Sequence, residues 1–341
     1  VRYVTFGEIM LRLKPPGFER FLQSPWLEAT FGGAESNVAA GLAGFGLDTS
    51  FITILPPNKI GDACVAELRK FGIDTSSITR KGERIGIYFL EQGNNQRPSS
   101  VIYDRARSAI AVIEPGDIDW KSVLNGCGWF HISGITPALS EGAAGQAVVA
   151  ARTARKMGAT VSCDLNFRKK LWKYGKSAPE VMSELTGYVD IAVGNEEDVQ
   201  KSLGIEANVD VESGSIDIGR YRSLTGAVLD QFRVLKKIAV TIRTSRSADS
   251  NLWQAVLNNR RDFIVSREYE IRDIVDRVGS GDAFCAGLVY GLSLLDDDRD
   301  ALEFAAASGC LKHSVHGDFP LATVEEVMNL VRGSGSGRIQ R

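Results

Sequence analysis

The chain has 341 residues, 44% of them hydrophobic and 24% charged, a composition that suits a soluble globular protein with material for one large core or two smaller ones. Its formal charge of -2 and pI near 6.1 leave no basic footprint for nucleic acid or a membrane surface, so a small-molecule partner is expected. No apolar run approaches the roughly 18 residues of a membrane span, and the five scattered cysteines (Cys64, Cys127, Cys163, Cys285, Cys310) form no CxxC pair, which reads as reduced thiols in a cytoplasmic protein.

The chain opens on "VRYVTFGEIMLRL", an apolar strand with no GxGxxG after it, which argues against a nicotinamide-binding fold. Residues 10–34 and 82–108 read as short antiparallel strands with turns, inserted as a lid because a small sheet with one apolar face has to cover something. Overlapping the end of the first, "FGGAESNVAAGLAGFG" (31–46) sets a glycine pair before a helix of small residues, with Asn37 one turn in. In the second lid segment Tyr103 and Arg105 are two apart and share a strand face, a pair suited to hydroxyls and a carboxylate, and Tyr88 lies on the neighbouring strand.

From about residue 110 apolar runs alternate with helical stretches: strands at 126–133, 159–165, 189–194 and 237–242, helices at 140–157, 178–187, 195–203 and 215–234. That alternation predicts an α/β fold, a mainly parallel sheet with helices on both faces. Polar residues follow the strands at their carboxyl ends, the ligand edge of such a sheet: Asn166 and Arg168, then Asn195, then the loop bearing Thr241, Arg243 and Ser245.

"IVDRVGSGDAFCAGLVYG" (274–291) places Gly279, Ser280 and Gly281 where a helix begins, and uncapped amides there form an anion site. Asp282 lies in the same turn, and a carboxylate beside a bound phosphate has an obvious use in taking a proton from an attacking hydroxyl. The helix dipole is expected to depress its pKa. Residues 333–341, "GSGSGRIQR", read as a flexible tail.

The two glycine motifs, about 245 residues apart, resemble the two signatures of the ribokinase-like (pfkB) family of carbohydrate kinases over essentially the whole chain. "FGGAESNVA", "YDRARSA", "DLNFR", "GNEED", "VTIRTSRSADSN" and "LKHSVHGDFP" are similar, in order, to the 2-keto-3-deoxygluconate kinases of that family. The resemblance implies a single ribokinase-like three-layer α/β domain over 1–332 and ATP- and Mg²⁺-dependent phosphorylation of 2-keto-3-deoxygluconate at its terminal hydroxyl to the 6-phosphate, with fructokinase, ribokinase or nucleoside kinase as the alternative. It implies Asp282 as the base and the amides of Gly279, Ser280 and Gly281, with Arg168, for the transferred phosphoryl group. Gly33, Ala34, Asn37, Tyr88, Tyr103, Arg105, Arg168, Asp282 and Asp318 would hold the sugar acid. Asn166, Arg168, Asn195, Thr241, Arg243, Ser245, Gly279 and Gly281 would hold ATP, while Asn195 and Asp198 would order Mg²⁺ through water. Arg277 and Val278 follow the signature Asp276 where relatives carry threonines near a monovalent-cation site, so potassium dependence is left open. The open lid edges lead us to expect a homo-oligomer formed through the lid.

Overall fold

The structure, a computed structural model, describes residues 1–205 and 217–333. A nine-stranded sheet runs through the molecule in the order Phe263–Val265, Asn251–Asn258, Lys237–Ser245, Ile191–Gly194, Thr160–Asp164, Cys127–Ser133, Arg2–Phe6, Thr49–Ile52, with Tyr269–Ile271 also paired to Asn251–Asn258. The strands from Lys237–Ser245 to Thr49–Ile52 are mutually parallel, and an antiparallel edge follows.

The parallel strands are buried on both faces, which is why they read as nearly continuous apolar runs. Alternate residues feed two cores. Val4, Phe6, Phe130, Ile132 and Val240 pack under the helices Glu141–Lys156, Ala178–Thr186, Glu196–Leu203 and Ile218–Gln231. Tyr3, Trp129, Ile191, Val193 and Ala239 pack under Ala34–Gly44, Ser280–Leu294, Asp298–Lys312 and Val324–Val331. The expected three-layer α/β architecture is therefore present, and among the described residues no helix is long and apolar enough to cross a membrane.

Local signals set the helix starts: the Ser140 hydroxyl accepts from the Ala143 amide, and Asn195 and Asp198 cap Glu196–Leu203 reciprocally. The helix expected over 215–234 forms over Ile218–Gln231, and residues 215 and 216 lie outside the described residues, as does the expected tail from 334 onward.

The lid is a four-stranded sheet in the order Glu28–Gly32, Met10–Lys14, Gly86–Glu91, Ser100–Asp104. Its outer pairings are antiparallel as expected, but the central pair, Met10–Lys14 with Gly86–Glu91, is parallel. Each hairpin is local in sequence, whereas the pairing between hairpins joins segments more than one turn apart and has no local signal. The strand expected over 237–242 also continues to Ser245, because Asn251–Asn258 folds back on it with Ser245 opposite Asn251. Thr241, Arg243 and Ser245 thus stand on a strand rather than in a loop.

Candidate active site

The first residues of Ser280–Leu294 form the floor of the site. Gly279 precedes the helix in the left-handed region (φ 83°), and a Cβ there would lie 2.2 Å from the backbone oxygen of Asp318, so only glycine fits. No side chain caps the helix, and the space where a Gly281 side chain would stand is open. The helix is fifteen residues long, so its uncapped amides and positive end lie where the anion site is expected.

Asp282 is buried one turn in, and its Oδ2 accepts from Asn37 Nδ2 at 2.6 Å. Asn37 is itself fixed by accepting from the Gly33 amide at 3.2 Å, so the two glycine motifs meet in this one bond. The expected depression of the Asp282 pKa is not what the fold produces. Burial pushes it up to about 6, Asp318 adds to the rise, and Asn37, Arg168 and Lys312 oppose it. Glu35, from the same motif, is a core tether: its Oε1 accepts from the Ser133 amide and hydroxyl and from Thr136, at 2.7 to 2.9 Å.

The lid is fastened to the body by charge. Arg12, 2% exposed, donates to Asp276 and Asp318 at 2.5 Å each, and the Tyr88 hydroxyl donates to Asp318 at 2.6 Å. Burial opposes the Arg12 charge, but the two carboxylates outweigh it and raise the Arg12 pKa. Asp318 packs so tightly under the first motif that a Cβ on Gly32 would lie 2.1 Å from its carboxylate. Arg12 was not foreseen from the sequence, although "MLRLK" carried a signal: Met10, Arg12 and Lys14 alternate onto the buried face.

These residues line one cavity of about 420 Å³, which brings together Gly33, Ala34, Asn37, Tyr88, Tyr103, Arg105, Asn166, Arg168, Asn195, Asp198, Thr241, Arg243, Gly279, Ser280, Gly281, Asp282 and Asp318. Ser245 is the one expected site residue that does not line it. An adjoining cavity of about 450 Å³ shares Asn195, Thr241 and Arg243 and adds Glu196, Gln200 and Lys201.

Arg105 lies just past the strand Ser100–Asp104, not on it, with its guanidinium 5.4 Å from the Tyr103 ring. Its Nη2 donates to buried Glu8, which also accepts from Ser108, while its buried Nε has no partner. Asn166 adopts φ 33°, a strained conformation for asparagine, with its side chain 3.3 Å from the Asp164 carboxylate. Arg168 is exposed and donates only to the Phe167 carbonyl, while Arg243 donates to the Ser280 hydroxyl at 3.1 Å and stands over Trp253.

The donor set fits a nucleoside triphosphate and Mg²⁺. Arg168, Arg243 and Arg277 line the cavity and suit phosphate oxygens, and Asp164 and Asp198 line it with hard oxygen donors, although among the described residues no three acidic, histidine or cysteine side chains group closely enough to hold a metal ion directly. Burial and then the charges of Asp198 and Asp282 hold the Asp164 pKa well above its ordinary value, the mark of a carboxylate cluster short of positive charge. Asp198 is committed to the Asn195 and Phe167 amides, so its reach to a metal would be through water.

The sequence profile of the pfkB family carbohydrate kinases matches residues 3–322. The chain belongs to that family. This pfkB kinase is 31% identical over 342 aligned residues to the 2-dehydro-3-deoxygalactonokinase of Haloferax volcanii, covering 98% of each chain. It is 25% identical to the 2-dehydro-3-deoxygluconokinase of Bacillus subtilis, covering 92% of this chain and 90% of that one. The crystal structure of 2-dehydro-3-deoxygluconokinase from Thermotoga maritima superimposes with a TM-score of 0.91 at 46% identity, covering 97% of this chain and 98% of that one. The fold is the ribokinase-like one, and the small separate sheet belongs to it.

Proposed function

We propose that this pfkB kinase transfers the terminal phosphoryl group of ATP, with Mg²⁺, to the terminal hydroxyl of 2-dehydro-3-deoxygluconate (2-keto-3-deoxygluconate), giving the 6-phosphate. The observation that carries the reading is Asp282 held by Asn37 at the uncapped start of Ser280–Leu294, in the cavity that Arg105 also lines. Asp282 accepts the hydroxyl proton as the oxygen attacks, and a pKa near 6 leaves it ionised at neutral pH yet basic enough for the task. The amides of Gly279, Ser280 and Gly281, with Arg168 and Arg243, stabilise the charge on the transferred group. Mg²⁺, when bound, neutralises the triphosphate, and Asn195 and Asp198 would hold it through water.

The sugar acid lies against Gly33, Ala34, Tyr88 and Tyr103, and its carboxylate meets Arg105. Glu8 holds the guanidinium from one edge and leaves Nε for that carboxylate. The lid strand Ser100–Asp104 exposes Ile102, 55% accessible, along an edge that a second copy of the chain would cover. A cytoplasmic setting suits the five unpaired thiols.

The test is ADP release from ATP with 2-dehydro-3-deoxygluconate, its galacto epimer, fructose, ribose and adenosine, for the wild type and Arg105→Ala. We expect the two sugar acids to be the best substrates and the variant to lose about 100-fold or more in kcat/KM on them, as for a lost charge-assisted pair. Fructose turning over best would overturn the sugar-acid reading.

A further inference from the structure

The helix Asp298–Lys312 ends in a lysine that none of the roles above uses. Lys312 is 1% exposed, and its ammonium donates to two backbone carbonyls, of Asp276 at 3.4 Å and of Val315 at 3.1 Å. The carboxylates of Asp276 and Asp318 are engaged with Arg12 instead. Burying an ammonium costs several kcal/mol unless something offsets it, and a methionine would fill the same space without that cost.

The location says what the charge is for. Asp276 begins the turn that ends in Gly279 and opens the anion-binding helix. Val315 lies in the segment that leads to Asp318. Lys312 Cε would be 3.4 Å from a Cβ on Gly279, so its stem packs directly behind the anion loop. Backbone carbonyls are the donors that hold potassium and ammonium ions. Here the ion is carried on a side chain, so it is always present.

We propose that Lys312 is a built-in monovalent cation: its ammonium pins the turn at 276–279 to the segment at 313–318 and keeps a fixed positive charge behind Gly279 to Asp282, so that no free potassium or ammonium ion is needed. Lys312 is a positioning residue and touches no substrate. The groups facing it are Asp276, Asp318 and Asp282, which favour its charge, and Arg12, which with burial opposes it. The groups facing Asp282 are Asn37, Arg168 and Lys312, which favour its ionised form, and Asp318, Asp164 and Cys285, which face it as acids.

The inference rests on the reading of Asp282 as the base, and Asp282→Asn run alongside separates the two: turnover surviving in that variant sinks the base, not Lys312. Wild-type turnover is measured first with tetramethylammonium as the sole monovalent cation, then with sodium or potassium. We expect no cation dependence, and a stimulation by potassium of more than about tenfold overturns the proposal. Lys312→Met should lower kcat by about 100-fold with little change in the sugar KM, and the acidic limb of its pH profile should move up by roughly half a unit or more. In Lys312→Ala, potassium, ammonium or methylammonium should restore activity where tetramethylammonium does not. A Lys312→Met enzyme with wild-type kcat and an unmoved acidic limb overturns the proposal. If neither variant folds, the cation series on the wild type decides alone.

Discussion

Asp282→Asn should remove turnover and at the same time make the protein more stable at neutral pH. The Asp282 pKa rises from 3.8 to about 6 on folding, mainly through burial. An acid whose folded pKa is raised holds its proton more tightly when folded, so stability falls as pH climbs from about 4 to about 6 and the full cost is present above that window. At about 1.4 kcal/mol per unit the cost is on the order of 3 kcal/mol as an upper bound. Asparagine carries no such cost, and its side-chain oxygen can still accept from Asn37 Nδ2. At roughly 2 °C per kcal/mol for a chain of this size, the variant should melt about 4 to 6 °C higher at pH 8. The gap should close as the pH falls below about 4, where wild-type Asp282 is protonated in both states. Scanning calorimetry of both proteins from about pH 3 to pH 8 makes the comparison. A variant that melts lower at pH 8, or a gap that ignores pH, would refute the assignment of burial as the dominant cause.

Two further expectations concern the lid. Arg12→Met leaves Asp276 and Asp318 buried and unpaired, which should cost about 3 to 5 kcal/mol, and Arg12→Met with Asp276→Asn, which returns the local charge to its wild-type value, should recover part of the lost melting temperature. Ile102→Asp should convert a lid-mediated oligomer to monomer in light scattering without lowering the melting temperature of the monomer, and a wild-type protein that is monomeric at all concentrations refutes the lid interface.

What was legible in the sequence was whatever local chemistry dictates. The runs around Val161 and Ala192 are apolar because both faces of those strands are covered, so the parallel sheet could be read from them. Gly279 could be read because a left-handed residue before a helix leaves a glycine in the sequence. Thr241 and Arg243 were placed at the right edge of the sheet but in a loop, since the antiparallel partner that extends their strand is a feature of topology. The sign of the Asp282 shift differs from the local expectation for a related reason. The dipole is a property of the local helix and could be inferred, while the burial that outweighs it depends on packing by elements distant in the chain, such as the helix Ala34–Gly44 whose Asn37 meets Asp282. The alternation in "MLRLK" puts Arg12 on the buried face, but the partners of Arg12 and Lys312 are not local. The carboxylates that pair with Arg12 are 264 and 306 residues away, and nothing near "MLRLK" or "LKHS" names the groups these two side chains meet.

The same long-range contacts tie the lid to the chemistry. Asp318 accepts from Arg12 and Tyr88, both carried on lid strands, and its charge acts on Asp282. While the lid is seated, the Arg12 guanidinium offsets the Asp318 charge. Removing the Arg12 charge while the lid stays seated leaves Asp318 uncompensated, which pushes the Asp282 pKa higher and protonates more of the base near neutral pH. Opening the lid would also admit water and relieve the burial that is the larger cause of the raised Asp282 pKa, so the charge contact is read separately only with the lid seated. The acidic limb of the Arg12→Met pH profile reads this coupling directly: it should move up even with the sugar at saturation, and a limb that stays where the wild type has it means that Asp318 does not carry the Arg12 charge to the base.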